Sequence, residues 1–373
     1  LVEISSSQRE YNAALGYVRE ALSSLQKSTG TSNTDYPIVI GREGRVYEFA
    51  GRIPEAFASF RESVLLSQEQ IAQTAGIYSY GGDEAFAQRI MPVFENFAGF
   101  AHRHSEYRKK SAGILYDNAL TLDFLLLQQS RSATAAARSS ENPVVSKQVR
   151  DWNDLKQLWA FQSNLPPGKR QYNLDSLNRE IGHIEESLTA NFIPLKKARL
   201  KVSWQKVQGV LASDETAIQF ISFPASESTG AEIVYYALVL RPGYDRPKMV
   251  YLCRENELTA LLDQKPGSAK GLINKLYPYS IEDWPENMRY SRFYSLLWRP
   301  LEKLLKGTRH IYYAPSGQLH RIAFPAIVKK PGDVLADHFN LQYVASTRDL
   351  VLQDDSLPGG EIRTAEVYGG IRY

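Results

Sequence analysis

The chain has 373 residues, 43% hydrophobic and 23% charged, which suits a globular protein of two or three domains. With 44 basic and 41 acidic side chains the formal net charge is +3, so nothing electrostatic favours nucleic acid or an acidic membrane as a partner. The single cysteine, Cys253, rules out an intrachain disulfide and a CxxC metal knuckle and points to a cytoplasmic location, and no apolar run reaches the ~18–20 residues of a membrane span.

From Leu1 to about residue 200 the chain is rich in Ala, Leu, Gln, Ser, Glu and Arg, with apolar residues at three- and four-residue spacing, the signature of helices. Tyr11, Ala14, Val18 and Ala21 align with Ile53, Ala56, Phe60 and Ser63, each pair 42 residues apart and each keeping its size class. A small residue followed four later by a large one fits two closely packed helices. Gly44, Tyr47 and Gly51 precede the second copy, and Pro54 opens its helix, where the first-turn N–H has no helical partner to lose. This spacing resembles a long-period tetratricopeptide repeat and assigns residues 1–82 to a TPR-like array, with Ala14, Gly44, Tyr47, Gly51, Ala56 and Phe60 as its packing residues. A generic array of helical hairpins is the plainer alternative, and either offers a groove. Residues 83–202 read as a helical connector packed against both neighbours. A long helical stretch is predicted from about Asp83 to Ser130, with two more helices over Gln148–Leu165 and Leu174–Leu188.

Residues 203–373 change texture to short β-branched and aromatic runs between Pro and Gly, alternating with helical stretches, which reads as α/β. Strands are predicted at Thr216–Phe223, Ile233–Leu240, Lys248–Leu252, His310–Tyr313, Asn340–Val344 and Ala365–Tyr368. Helices are predicted at Glu255–Leu262, Lys270–Leu276, Arg289–Leu297 and Pro300–Leu305. The near-continuous apolar strands imply a sheet covered on both faces.

The order of motifs here resembles the CHAT family, caspase-like modules commonly found behind tetratricopeptide repeats. A strand, then Pro315-Ser316-Gly317, Leu319-His320 and Phe324-Pro325-Ala326-Ile327 is its most specific stretch. Trp204, Val207 and Leu211 ahead of Ala217-Ile218-Gln219-Phe220 resemble its leading helix and first strand. Val334-Leu335 with Leu341–Ser346, Val367–Gly370, and the upstream Tyr116-Asp117-Asn118-Ala119-Leu120 follow the same order. The ending Gly-Gly-Ile-Arg-Tyr is similar to the Bacteroidetes-type branch. The resemblance implies a helical array followed by the N-terminal part of a caspase-like α/β domain. Leu319, His320, Phe324, Gly369 and Gly370 are then structural positions of the family motifs.

In caspase-like peptidases a thiolate attacks the scissile carbonyl while a histidine manages the proton. The family carries these in a His-Gly dipeptide and a later Ser-Ala-Cys, neither of which occurs here, so no catalytic residue is expected within the chain and both are expected beyond Tyr373. The resemblance implies the recognition portion of a bacterial cysteine endopeptidase, or alternatively a scaffold whose caspase-like domain is inactive. It implies a protein or peptide partner in the repeat groove, the missing catalytic half as a second partner, and no cofactor or metal. Cys253 reads as a buried, inert thiol rather than a partner of His320. His102 and His104 read as a solvated helix face, and Ser316 with His320 lacks the G-x-S-x-G context of a serine hydrolase.

Overall fold

Small residues set how closely the first helices approach. Helices α1 (Tyr11–Ser28), α2 (Asp35–Phe49) and α3 (Ile53–Thr74) pack in succession. Where α2 crosses α3, a Cβ on Gly44 would stand 3.0 Å from the Phe60 ring and 3.1 Å from the Phe60 backbone nitrogen, and one on Gly41 would stand 3.1 Å from Ser63 Oγ. Ala14 and Ala56 are fully buried, with Phe60 and Tyr47 nearly so. The computed structural model describes residues 10–28, 33, 35–74, 82–130, 143–191, 202–226, 230–263, 277–278, 284 and 289–352. The helix expected at Lys270–Leu276, the strand at Ala365–Tyr368, and Gly369 and Gly370 lie outside them.

Helix α2 ends in a Schellman motif. The Gly51 N–H donates to Glu48 O (3.0 Å) and the Arg52 N–H to Tyr47 O (2.8 Å), while the Arg52 guanidinium lies 4.6 Å from the Tyr47 ring centre. Gly51 has φ +74°, and a Cβ there would meet nothing within 4 Å, so the demand for glycine is purely conformational. Replacing Gly51 with Ala should therefore cost about 1 kcal/mol, read as a lower urea midpoint with unchanged slope.

The helical stretch expected over 83–130 is made of two helices, α4 (Gly82–Arg103) and α5 (Arg108–Ser130), parted at His104, which has φ −111° and ψ 84°. Side chains hold the break. Arg108 donates to the carbonyls of Ala101 (3.2 Å) and His102 (3.0 Å), which a helix end leaves without partners. Arg103 binds Glu48 of α2 with two 2.8 Å bonds, and His104 Nε2 lies 2.8 Å from the same carboxylate. The reading of His102 and His104 as a solvated face is thus corrected. His104 is turned onto Glu48, and His102 Nδ1 lies 2.7 Å from the Tyr236 hydroxyl of the sheet. Burial raises the Glu48 pKa, but its bonds to Arg103 and His104 and their charge outweigh this and hold the carboxyl below its usual range.

Helices α6 (Pro143–Ser163) and α7 (Leu174–Asn191) form a hairpin whose buried residues Val149, Trp152 and Ile181 make a small cluster of their own. The described core of the rest is shared between α1–α5 and the sheet. Helix α8 (Trp204–Val210) leads into β1 (Glu215–Pro224), β2 (Ile233–Leu240) and β3 (Lys248–Arg254), then α9 (Glu255–Leu262), β4 (His310–Ala314), the short hairpin β5 (Val328–Lys330) and β6 (Asp333–Val334), β7 (Asn340–Tyr343) and α10 (Asp349–Leu352). The five-stranded sheet runs β3-β2-β1-β4-β7. Strands β3, β2 and β1 are antiparallel neighbours, while β1, β4 and β7 are parallel, with Glu215 opposite His310 and His310 opposite Asn340.

Alternation along the strands divides the core. Ala217, Val234, Tyr236 and Leu238 face the helices, with Phe97, Phe100 and Tyr116 in the same cluster. Ile218, Phe220, Tyr235 and Val239 face the other side, with Leu258, Trp298, Leu319 and Phe324. Both faces are covered, which accounts for the uninterrupted burial of Val234–Leu240. The regular helix expected over Arg289–Leu297 is also corrected. Tyr294–Trp298 make a π-helical turn and Arg299–Leu301 a 3-10 turn. Ser291 Oγ accepts the Tyr294 N–H (3.2 Å) and so starts the segment late, and Pro300, with no N–H to donate, ends the regular ladder. The hairpin β5–β6 and helix α10 had no clear sequence signal.

Candidate functional site: a cavity where the helices meet the parallel strands

In open α/β sheets the crevice outside the carboxyl ends of parallel strands is where ligands bind. Here β1 and β4 are one of two parallel pairs, and residues of α4 and α5 stand against the end of β1 and the turn after β4. Between them is a cavity of about 290 Å³, walled by Phe94 and Ala98 of α4, Leu115, Ala119 and Leu122 of α5, Ile221 and Phe223 of β1, and the Pro315-Ser316-Gly317 turn after β4.

That turn is built around Gly317, which has φ +53°. A Cβ on it would lie 2.6 Å from the Tyr235 hydroxyl and 3.1 Å from Ser222 Oγ. The Tyr235 hydroxyl accepts the Gln318 N–H (3.1 Å) and donates to Glu255 (3.0 Å), which pins the turn against β2 and α9. Leu319 and Phe324 beyond it are fully buried. Phe324 packs among the rings of Tyr313, Phe220 and Trp298, with centroids 5.0, 5.1 and 6.4 Å away. His320 is exposed and stands at the cavity.

A buried polar seam ties α5 to the sheet beside the cavity. The Tyr116 hydroxyl donates to Thr347 Oγ1 (2.9 Å), which donates in turn to Gln219 Oε1 (2.9 Å). Gln219 Oε1 also accepts the Thr347 N–H (3.2 Å), and Gln219 Nε2 donates to Asp123 Oδ2 (3.0 Å). Asp117 accepts the Trp204 N–H (2.7 Å) at the start of α8, and a Cβ on Gly113 would lie 2.8 Å from Trp204 Nε1. Burial pushes the Asp123 carboxyl up to about 7, against the hydrogen bonds of Ser346 and Gln219, with the charge of Asp349 raising it further.

Three polar groups lining the cavity lack a partner among the described residues. Asn118 is 3% exposed; its Oδ1 accepts from Gln68 (2.6 Å), but its Nδ2 donates to nothing. The buried Ser316 hydroxyl has no partner either. Glu95 of α4, half-buried, has its carboxyl raised by burial alone, with no cation beside it.

The residues singled out in the sequence divide between two places. Ala14, Gly44, Tyr47, Gly51, Ala56 and Phe60 lie in or beside the helical contacts, and Leu319, His320 and Phe324 lie after β4. Cys253 on β3 is fully buried, and burial together with the charge of Glu257 pushes its thiol up to about 12. It is not a nucleophile at neutral pH. A thiol reagent such as Ellman's should leave the native chain unlabelled over hours and modify one thiol in urea; rapid native labelling would contradict this burial. Ser316 Oγ makes no bond to His320, so these two form no hydrolase pair. Among the described residues no group of three or more His, Cys, Asp or Glu is placed to hold a metal ion, and no helix is long and apolar enough to cross a membrane.

Sequence reasoning did not single out Glu95, Asn118 or Asp123 as a set. A signal existed for Asp123, an acid within the apolar run Leu120–Leu127, and for Gln219, the one amide in Ala217–Phe220. Comparisons with protein-family models, curated proteins and solved structures return no match.

Proposed function

We propose that the chain is the recognition array and the N-terminal, non-catalytic portion of a bacterial caspase-like cysteine endopeptidase of the TPR–CHAT type. One observation carries the reading. Helical hairpins closed where Gly44 meets Phe60 share a core with a sheet in which the parallel strand β4 is followed by the glycine turn and the buried Leu319 and Phe324. The CHAT-like motifs up to Leu350 fall within the described residues and support the reading, while Val367–Gly370 lies outside them. The groove of the hairpins would receive a protein or peptide partner. The nucleophile and its histidine would come from sequence after Tyr373, since Cys253 has neither the access nor the acidity to act.

The test is to obtain the natural protein, determine its mass and carboxyl-terminal peptides, and label it with a cysteine-directed peptidyl affinity reagent. The expected label falls on a cysteine downstream of Tyr373 within Ser-Ala-Cys, preceded by His-Gly. A protein that carries the caspase-like continuation without both motifs would make the chain part of a binding scaffold, and one with no such continuation would remove the reading altogether.

A further inference from the structure

Glu95 stands between two concavities. On one side is the cavity at the strand ends, of about 290 Å³. On the other is a second of about 390 Å³, bordered by Pro92, Gly99 and Arg103 of α4 and by Pro224, Ser226 and Ala231. Glu95 borders both, so the two adjoin along α4 as a trough parted by its carboxylate.

The trough has a defined chemical complement. A carboxylate held partly out of water without a cation is an acceptor for a charged donor. Arg103 of the same helix, which also lines the second concavity, is spent on Glu48 and on the Ala225 carbonyl, the latter at 3.0 Å. Asn118 Nδ2 and the Ser316 hydroxyl, both closed to solvent, are unpartnered donors of residues in the cavity wall, and an unmet buried donor costs about 1–3 kcal/mol. Apolar walls formed by Phe94, Leu115 and Leu122 suit an aliphatic stem. At about 290 Å³ the first cavity is near the lower limit for small-molecule pockets, a size for one side chain. Asp123 adds no second anchor, because Gln219 and Ser346 already hold it.

We propose that this trough binds an extended peptide through one arginine or lysine residue, its stem in the apolar cavity and its cation on Glu95. The site is separate from the groove of the helical hairpins, and it stands whether or not the full protein is a peptidase. The second concavity takes the flanking residues, which distinguishes a peptide from a free amino acid.

The experiment is calorimetric titration of the 373-residue chain with three probes. These are an N-acetylated, amidated alanine heptapeptide with a central arginine, the same peptide with central norleucine, and N-acetyl-arginine methylamide. The arginine peptide should bind saturably, and the norleucine peptide at least about tenfold more weakly, the scale of one charge-assisted hydrogen bond. The arginine derivative should also bind more weakly than the peptide. Glu95→Gln, which keeps the shape and removes a desolvated charge, should abolish the preference for arginine over norleucine while circular dichroism stays unchanged. Ser316→Ala should leave the preference for arginine unchanged. The proposal fails if neither arginine probe saturates up to millimolar concentration, if norleucine binds as well as arginine, or if Glu95→Gln leaves the preference intact. Equal affinity of the derivative and the peptide would overturn the peptide assignment. None of these readouts involves proteolysis, so they are decided independently of the peptidase assignment.

Discussion

Replacing Asp123 with Asn should stabilise the protein at pH 8 and flatten its pH dependence between pH 5 and 8. Burial raises the Asp123 pKa from 3.8 to about 7. A carboxyl that binds its proton more tightly when folded makes the folded state take up protons relative to the unfolded chain. Stability is then highest below the unfolded value, falls as the pH rises through the window between about 4 and about 7, and is level above it. Three units correspond to about 4 kcal/mol as an upper bound. The amide fits the same bonds: its oxygen accepts from Gln219 Nε2, and its NH₂ can donate to the Ser346 hydroxyl, which now accepts. The other acid facing the site, Asp349, also raises Asp123, so Asp349→Asn should narrow the window without abolishing it. The measurement is urea unfolding at pH 5, 6, 7 and 8. A wild-type midpoint that rises through this range, or a variant that follows it in parallel, would place the ionisation elsewhere.

The seam around Asp123 also marks how far the sequence could be read. Strands 233–240 and 248–252 and helix 255–262 were visible because burial leaves apolar runs along them. The packing glycines and alanines of the helices were visible for a similar reason, since close approach demands a small residue at a fixed spacing. The helix break at His104 was not. It depends on Glu48, 56 residues away, and on Arg108 turning back onto two carbonyls, while the local spacing of Phe94, Phe97 and Phe100 continues without a flaw. The cavity was hidden in the same way. Glu95, Asn118 and Ser316 are each ordinary in their own segment and become a set only when α4 and α5 are set against the end of β1 and the turn after β4. A periodicity reports which face of an element is buried, but not what that face meets.

Removing the Phe100 ring should destabilise the protein by about 3–5 kcal/mol, the range for deleting a fully buried aromatic side chain. Phe100 has no exposure, and its ring lies among those of His104, Phe60, Tyr107 and Phe57, with centroids 4.6, 5.4, 5.4 and 6.1 Å away. It thus sits where α3, the end of α4 and the His104 break converge. Its loss opens a void and also loosens the imidazole that binds Glu48, so α2 loses an anchor on α4. Exposed Phe161 on α6 is the control, with an expected change within about 0.5 kcal/mol on substitution by Ala. If Phe100→Ala does not fold, Phe100→Leu provides the milder test, with a smaller loss in the same direction. The core containing Phe100 continues into Tyr236 and Leu238 of the sheet. The damage should therefore not stay in the helices: helical circular dichroism and tryptophan fluorescence should shift to a lower urea midpoint together. If the helices melted first and the sheet kept its wild-type midpoint, the hairpins would be a separately folding unit. The contact through Glu48, Arg103 and the Ala225 carbonyl would then be too weak to carry a signal from a bound partner to the strand ends.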